Sequence, residues 1–450
     1  MKTFWLPALG IALGAAFLAA RGLAQAPGPA LTTLHAFAGG KDGCHPAGPV
    51  IAKSGILYGA TTFGGISTEC NVGTDSNGCG TVFELAAPAS PGGVRTESVL
   101  YSFDSQKGDG IFPYGGLVAG AHGEIYGTTT SGGSYGYGNV FELAPPASPG
   151  GAWTEKVLYE FCAQPNCADG GDPQTGLTMG TDGVLYGTAG GGTYAGCVGG
   201  PPGGGCGTVF ALTPPASQGG FWSESVLYSF QGGSDGAGPS APVIIGPDGT
   251  LYGATEFGGG PSQWGTIFEL MPPVSPGGAW TERVVHAFLG GSDGSYPSGV
   301  AVSGNGALFG ATVGGGITSS CGGGCGTMFE LTPSASPSEA WTKTTLYDFA
   351  DGSDGSTPRG GVTMGKDGTL YGTTYGHEGG PASLGTVFEL APGNPWAETT
   401  LHTFGYGDGR QPASSLIFNR GTGELFGTTY LGGGAVNIPS GCGTVFEWRP

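Results

Sequence analysis

The stretch Leu370-Tyr371-Gly372-Thr373-Thr374, followed by the phrase Gly385-Thr386-Val387-Phe388-Glu389-Leu390, occurs in seven closely related copies along this chain. Successive copies lie roughly 60 residues apart, and a regular repeat of this size indicates a repeat architecture. The first phrase begins at Leu57, Ile125, Leu185, Leu251, Leu308, Leu370 and Leu425. The second begins at Gly80, Gly138, Gly207, Gly265, Gly326, Gly385 and Gly443.

Each copy divides into four short strand candidates separated by turn signals, which is the pattern of a small antiparallel sheet. In the fourth copy, three strands are predicted at 242–245, 251–255 and 266–270, and the fourth at either 225–230 or 283–288. The first two are joined by an Asp-Gly pair, a tight hairpin signal. No stretch has the length and period of a helix. The copies therefore predict an all-β fold.

Seven four-stranded units in series predict a seven-bladed β-propeller of four-stranded antiparallel blades. A solenoid is the main alternative, but solenoid rungs are usually far shorter than this unit. Residues 31–37 match the strand that follows each Gly-Thr-Val-Phe phrase, whereas the last copy has no such strand after Trp448. We therefore expect the N-terminal strand to complete blade seven, which closes the ring and removes two open sheet edges.

Residues 1–26 read as a secretory signal peptide, which leaves 27–450 as a single propeller domain. The mature chain is then predicted to be extracytoplasmic, either periplasmic or secreted; an uncleaved anchor helix is the less favoured alternative. No later apolar run is long enough to span a bilayer. Removing Lys2 and Arg21 leaves 12 basic against 33 acidic residues, a formal charge of −21. This glycine-rich, acidic chain is not expected to bind nucleic acid.

Ten cysteines in an exported chain predict disulfides rather than metal ligands. Four pairs would each lie within a single loop. The fifth would join the first copy to the last, because both of its loops emerge on the same face beside blade seven. The predicted pairs are Cys70 with Cys79, Cys162 with Cys167, Cys197 with Cys206, Cys321 with Cys325, and Cys44 with Cys442.

Every copy carries the motif Asp-Gly-x-x-Pro before its first strand. Seven aspartates on one face could bind cations, but a motif used by every blade is better explained as a turn. Asp can bond the backbone two residues on, Gly accepts positive φ, and Pro starts a strand. No cofactor is predicted, and calcium remains the open alternative. The motif begins at Asp42, Asp109, Asp169, Asp235, Asp293, Asp354 and Asp408.

A tryptophan recurs in the connection between the third and fourth strands of most copies. Exposed tryptophans could stack on sugar rings, but repetition blade by blade favours packing over the hairpin. These residues are Trp153, Trp222, Trp280, Trp341 and Trp396.

The paired phrases, with the Gly-Gly between them, resemble the GloVer tandem-repeat family of exported bacterial proteins. The resemblance covers residues 31–448 in all seven copies. It implies export, in many members with a C-terminal sorting anchor, and it transfers no activity and no catalytic residue.

Residues that break the repeat are the candidates for function, because symmetry serves the scaffold while loops carry chemistry. After the motif proline, the other blades have Ala or Ser, whereas this chain has Tyr114, Gln174 and Arg359. Further exceptions in the loops of the same face are His45, Asp172, Glu256, Trp264, Tyr375, His377, Glu378 and Arg410.

The favoured hypothesis is a noncatalytic, exported and monomeric propeller that binds a glycan, a peptide or another envelope partner through this variable loop face. Tyr114, Trp264 and Tyr375 would supply stacking surfaces, and Gln174 would line the same face. Arg359 and Arg410 would serve as polar anchors.

The alternative is a polysaccharide-active enzyme, a lyase or hydrolase with its site at the channel mouth. Arg359 or Arg410 would neutralise a uronate carboxylate while Tyr114, His45 or His377 moves the proton. Convergence of Tyr114, Arg359, His377 and Arg410 in one concave pocket at the channel mouth would favour the enzyme, and scattering over a flat rim would favour binding. A structural role in the envelope or matrix is the third hypothesis.

Overall fold

The computed structural model describes residues 30–450, apart from 54, 71–76, 89–92, 149, 193–196, 198–204, 218, 276, 319, 335–338, 378–381 and 435–440. The predicted signal peptide and Glu378 therefore lie outside the described residues.

Seven four-stranded antiparallel blades follow one another along the chain, which confirms the predicted propeller. In every blade, strand one lies next to the channel and strand four is outermost. The fourth strand of the fourth copy is Thr281–Ala287, so the later of the two predicted segments is correct.

The strands of blades one to three are Cys44–Lys53, Ile56–Phe63, Thr81–Ala86 and Thr96–Ser102; Val118–Ala119, Ile125–Thr129, Asn139–Ala144 and Thr154–Glu160; Thr178–Met179, Leu185–Ala189, Thr208–Thr213 and Ser223–Ser229. Those of blades four to six are Ile244–Ile245, Leu251–Phe257, Thr266–Met271 and Thr281–Ala287; Ser295–Val302, Leu308–Gly314, Thr327–Thr332 and Thr342–Asp348; Thr363–Met364, Leu370–Thr374, Thr386–Ala391 and Ala397–Thr403. Blade seven contains Ile417–Phe418, Leu425–Thr429, Thr444–Arg449 and Ala30–Ala36. Short additional strands are Ala237–Pro239, Gly110–Ile111 and Ser131–Gly132, and the 3-10 turns are Gly40–Asp42, Ser105–Lys107, Pro165–Cys167 and Gly291–Asp293.

The N-terminal strand closes the ring, as predicted. Ala30–Ala36 pairs antiparallel with Thr444–Arg449 and supplies the fourth strand of blade seven. Beside it, Cys44 and Cys442 form a disulfide across a sequence separation of 398 residues. The two ends of the propeller are thus joined by both a sheet and a covalent bond.

The other four cysteine pairs expected from the sequence are also bonded, and no cysteine in the described part of the chain is free. Five disulfides are typical of proteins that fold in an oxidising compartment. Among the described residues, no helix has the length and apolar character needed to cross a membrane.

The glycine of each Leu-Tyr-Gly phrase makes room for the phenylalanine of each Gly-Thr-Val-Phe phrase. Gly372 pairs with Phe388 on the neighbouring strand, and a Cβ atom added to Gly372 would lie 2.6 Å from Phe388 Cζ. The same contact, at 2.4 to 2.6 Å, recurs in every blade. The two phrases that define the repeat are therefore one packing unit. The seven pairs are Gly59 with Phe83, Gly127 with Phe141, Gly187 with Phe210, Gly253 with Phe268, Gly310 with Phe329, Gly372 with Phe388, and Gly427 with Phe446.

Each of these rings also joins its blade to the preceding one. Phe388 meets Phe349, which follows the outer strand of the preceding blade, edge to face with centroids 5.2 Å apart. Edge-to-face pairs stabilise beyond the area that they bury. Seven such pairs, including Phe37 with Phe83 across the closure, join each blade to its neighbour around the core.

The recurring tryptophans pack between blades, as the repetition suggested. Trp153 lies against Tyr58 of the preceding blade, with ring centroids 6.4 Å apart. Equivalent pairs join Trp222 to Tyr126, Trp280 to Tyr186, Trp341 to Tyr252, and Trp396 to Phe309.

The motif aspartates bond in a different direction from the predicted one. Asp109 accepts hydrogen bonds from the Tyr101 hydroxyl at 2.6 Å and from the backbone N–H of Asp104 at 3.2 Å. Both donors precede Asp109, because the aspartate closes the loop that brings the chain from an outer strand to the next channel strand. The prediction of a bond to the backbone two residues on was therefore wrong, although the motif is a turn device.

A second carboxyl group lies beside several of these aspartates. Glu155, from the outer strand of the next blade, faces Asp109, and burial together with that neighbouring charge raises its pKa from 4.5 to about 7. One of its carboxylate oxygens is buried without a hydrogen-bond partner. At the equivalent place Lys343 forms an ion pair with Asp293 at 3.2 Å. The glutamates with pKa values raised to about 7 are Glu97, Glu155, Glu224 and Glu282.

We expect these glutamates to make the propeller more stable in mild acid. The folded chain holds more protons than the unfolded chain between about pH 4.5 and 7, so the free energy of unfolding falls as pH rises through that window. His45, whose pKa is lowered to about 4, acts in the opposite direction, but it is one group against four. The melting temperature should be several degrees higher at about pH 5 than at about pH 8.

The variant Glu155→Gln isolates this effect, because it removes the charge and keeps the shape. It should raise the melting temperature at about pH 8 and leave it nearly unchanged at about pH 5. Glu339→Gln, at an exposed glutamate, is the matched control and should change neither value. Scanning calorimetry at both pH values measures the shifts, and a Glu155→Gln protein that is less stable at pH 8 would refute the explanation.

Candidate ligand site at the channel mouth

Two cavities meet where strand one of each blade begins. The lower one, of about 410 Å³, runs into the channel between the first strands. The upper one, of about 540 Å³, spreads over the loops of blades three to five. We call the residues that follow the motif prolines and line both cavities the neck; they are Tyr114, Gln174, Ser240, Ser298, Arg359 and Ala413.

The residue before each motif proline has an unusual backbone conformation. At all seven positions φ lies between +50° and +62°, a left-handed region in which an L side chain is disfavoured by about 1–2 kcal/mol. An inter-blade hydrogen bond holds the conformation; for example, the Tyr296 N–H donates to the Trp264 carbonyl at 2.9 Å. The seven residues are His45, Phe112, Asp172, Gly238, Tyr296, Thr357 and Gln411.

These seven positions share one backbone frame and carry seven different residues. Strained, over-determined backbone positions concentrate at functional sites. Three of the seven, Asp172, Tyr296 and Gly238, line the upper cavity, and the first two place a side chain on this frame. The seven pre-proline positions therefore combine the same backbone conformation with different side chains.

Arg359 is an exposed cation at the neck and has no hydrogen bond or ion pair with any described residue. Its guanidinium lies over the Tyr375 ring, with Cζ 4.8 Å from the ring centroid. A guanidinium has five donors in a fixed fork suited to a carboxylate. Stacking thus orients Arg359 while its donors stay available.

Tyr114 lies on the other side of the neck, from blade two, and its side chain is 41% exposed. Burial raises its pKa, an effect that the positive charge of Arg359 opposes. Burial and the neighbouring hydroxyls of Tyr114 and Tyr375 raise the pKa of Tyr430 to about 12. The mouth therefore holds neutral tyrosines beside one cation.

His45 is packed rather than available for proton transfer at neutral pH. Its ring stacks on Tyr430 with centroids 4.4 Å apart, and it meets Phe63 edge to face at 5.4 Å. Burial lowers its pKa to about 4. It therefore backs the mouth as a neutral aromatic ring.

Two carboxyl groups lie on the blade three and four side of the upper cavity. Asp172 accepts a hydrogen bond from the Gln174 amide at 2.9 Å. Burial raises the pKa of Asp172, which the Gln174 amide opposes, and burial likewise raises the pKa of Glu256, which Arg359 opposes. Glu256 and Arg359 thus interact across the mouth without forming an ion pair.

The cavity also presents aromatic surface. Phe257 and Tyr296 line its blade four and five side and meet edge to face with centroids 6.0 Å apart. Together with Tyr114 they give a pocket that combines aromatic rings with a few placed polar groups, as ligand sites do.

The structure brings together only some of the predicted residues. Tyr114, Gln174 and Arg359 share the neck, Asp172 and Glu256 line the upper cavity, and Tyr375 supports Arg359 from behind. His45 and three further candidates line neither cavity. The three are Trp264, His377 and Arg410.

Each of these three residues has another contact. Trp264 packs edge to face on Tyr296, His377 lies 3.7 Å from Asp351, and the Arg410 guanidinium lies 5.4 Å from the Tyr406 ring centroid. The convergence expected for an enzyme is therefore only partial. Tyr114 and Arg359 line the same cavities, whereas His377 and Arg410 do not.

Sequence reasoning missed Tyr296, Phe257 and Tyr430 as parts of this region. The position before the motif proline is the signal that would have found Tyr296. Comparing the copies just after each Leu-Tyr-Gly phrase would have identified the other two. Tyr430 lies five residues after Leu425, and Phe257 lies six residues after Leu251.

Within the described part of the chain there are two groups of three potential metal-ligand atoms, and the atoms of each group lie within 4.8 Å of one another. One includes Cys321, whose sulfur is already bonded to Cys325. In the other, the His35 Nε2 atom is hydrogen-bonded to Asp42 at 3.0 Å. Neither group offers a set of free ligands, so we assign no metal to them.

The sequence model of the Gloeobacter/Verrucomicrobia repeat matches residues 24–199 and 193–446. The chain belongs to this repeat family. The family model thus covers the propeller and agrees with the resemblance of the paired phrases. No curated protein matches this Gloeobacter/Verrucomicrobia repeat protein.

Several solved structures resemble the chain at low sequence identity. PorZ, a surface component of the type-IX secretion system of Porphyromonas gingivalis, superposes with a TM-score of 0.51 at 15% identity, over 89% of this chain and 46% of PorZ. The PQQ-bound aldose sugar dehydrogenase of Streptomyces coelicolor gives 0.44 at 11%, over 75% and 93%. A gluconolactonase of Xanthomonas campestris gives 0.39 at 12%, over 94% and 89%. The likeness to PorZ shows the fold alone.

Proposed function

We propose that this protein is an exported binding propeller that recognises a glycan or peptide of the cell envelope at its channel mouth. The observation that carries the proposal is Arg359, whose guanidinium is stacked on Tyr375, forms no hydrogen bond or ion pair with a described residue, and lies across the neck from Tyr114. Export is supported by the five disulfides and by the predicted signal peptide.

The pKa shifts of the side chains at the mouth favour binding over catalysis. A general base works best when its pKa lies near the operating pH. Burial raises the pKa of Tyr114 and lowers that of His45 to about 4, so both groups are neutral and poorly matched to proton transfer near pH 7. Tyr114 and His45, two of the three proton carriers named for the lyase hypothesis, thus serve better as contact surfaces, and the third, His377, lines neither cavity.

The test is a screen of the mature, oxidised protein against glycan and peptide arrays, read also for new reducing or unsaturated ends. We expect saturable binding without product. Arg359→Gln should weaken binding of the selected ligand about 10- to 100-fold, because a hydrogen bond to a charged group contributes about 1.5–3 kcal/mol.

Arg420→Gln is the matched control, since Arg420 is exposed in a strand one to strand two turn on the opposite face. Calorimetric titration of both variants measures the affinities. Equal losses in the two variants, or none in Arg359→Gln, would contradict the proposed site. Product formation that is lost in Arg359→Gln would establish an enzyme instead.

A further inference from the structure

We infer that the mouth selects a ligand end that carries both a carboxylate and an ammonium group. The carboxylate would bind Arg359, and the ammonium would bind on the side of Asp172 and Glu256. This inference rests on the proposed function and specifies the chemistry of the ligand. The shared chemistry is that of a free short peptide or of an amino sugar acid.

The carboxylate half follows from the state of Arg359. Its donors are unused by described residues, and it lines both cavities at the point where they meet. The planar guanidinium can donate two parallel hydrogen bonds to one carboxylate. The Tyr375 ring holds one face of the guanidinium, so the edge that carries the donors is the part left for a ligand.

The ammonium half follows from the two carboxyl groups in the same cavity. Asp172 sits on the strained pre-proline frame and is further held by Gln174, while Glu256 comes from the second strand of blade four. Neither forms an ion pair with a described residue. Asp172 is half-buried and Glu256 is exposed, so both carboxyl groups can be reached by a ligand. Partial loss of water raises the pKa of both, and a bound cation would oppose that rise by favouring the charged forms.

The balance of charges in the cavity favours a ligand with groups of both signs over a polyanion. Among the described lining residues there are one cation and two carboxylates, in a chain of formal charge −19. A polyanion would gain at Arg359 and be repelled by both carboxylates and by the whole surface. A ligand with one group of each sign matches the arrangement, and the aromatic walls of Tyr114 and Tyr296 contact the part between them.

The experiment compares ligands that differ by one charge. Trialanine, N-acetyl-trialanine and trialanine amide form the peptide arm, and muramic acid and N-acetylmuramic acid form the sugar arm. Each is titrated calorimetrically into the full mature protein at neutral pH. In at least one arm, we expect the free form to bind about 10-fold or more tightly than the N-acetylated form, and the arm that does so identifies the source.

Separate variants test the carboxylate contact at Arg359 and the ammonium contact at Asp172 and Glu256. Arg359→Gln should reduce binding of the free form about 10-fold and leave the preference for a free amine in place. Glu256→Gln, or the double change with Asp172→Asn, should reduce that preference to less than about threefold. Glu339→Gln, an exposed acid on the opposite face, is the charge control and should change neither.

The outcomes separate this inference from the proposed function. Equal affinity of the free and N-acetylated forms, or failure of both free forms to bind, overturns the inference. If array ligands still bind and depend on Arg359 in that case, the proposed function stands without it. If no array ligand binds in an Arg359-dependent way, the proposed function itself fails.

Discussion

Replacing Cys44 and Cys442 together with alanine is expected to produce the largest loss of stability in this protein. Their disulfide closes a loop of 398 residues, for which the chain-entropy relation gives roughly 6 kcal/mol. Both side chains are 0% exposed, so their removal also leaves unfilled core volume. Denaturant unfolding of the oxidised protein measures the change, and we expect a loss of several kcal/mol.

The matched control is the double change of Cys321 and Cys325 to alanine. These cysteines are also buried, at 4% and 0% exposure, but they close a loop of only four residues. The same relation gives about 2 kcal/mol for that loop. A loss in the control as large as that in the Cys44 and Cys442 variant would show that packing, rather than ring closure, accounts for the effect.

Phe388→Ala is expected to have the second largest effect, about 3–5 kcal/mol. The ring is 1% exposed, fills the space opposite Gly372 and contacts Phe349 of the preceding blade. Its loss therefore weakens one blade and one contact between blades. Phe221→Ala, at a phenylalanine that is 94% exposed, provides the same chemical change on the surface and should alter stability by less than about 0.5 kcal/mol.

A double-mutant cycle tests the packing unit itself. In the wild-type background, Gly372→Ala should destabilise by about 1–3 kcal/mol, because the new Cβ would lie 2.6 Å from Phe388 Cζ. In the Phe388→Ala background the obstruction is gone, and the same change should become neutral or stabilising, since Gly inside a strand is less favourable than Ala by about 0.5–1 kcal/mol. Additive effects in the two backgrounds would refute the packing unit.

Much of the fold could be predicted because the residues that recur in the repeat are those that pack against one another in each blade. The glycine and phenylalanine of the paired phrases recur since each blade needs the same contact, as Gly372 and Phe388 do. The closure could be predicted because 31–37 matches an outer strand that the last copy lacks. The direction of the Asp109 hydrogen bonds could not, because it depends on how an outer strand turns toward the next blade.

The site could be predicted only in part. Tyr114 and Arg359 departed from a repeated position, so sequence comparison within the chain exposed them. Whether residues from blades two and six meet depends on the channel geometry, which spacing does not give. His377 and Arg410 break the repeat equally clearly, yet they lie outside the cavities, because a departure from symmetry does not encode its distance from the channel.

A crystal structure of the mature protein with its selected ligand tests the central claim most directly. We expect ligand density in the upper cavity, with an acidic group of the ligand within hydrogen-bond distance of the Arg359 guanidinium and the adjoining part against Tyr114. Density on the opposite face, or in the cavity but away from Arg359, would contradict the account.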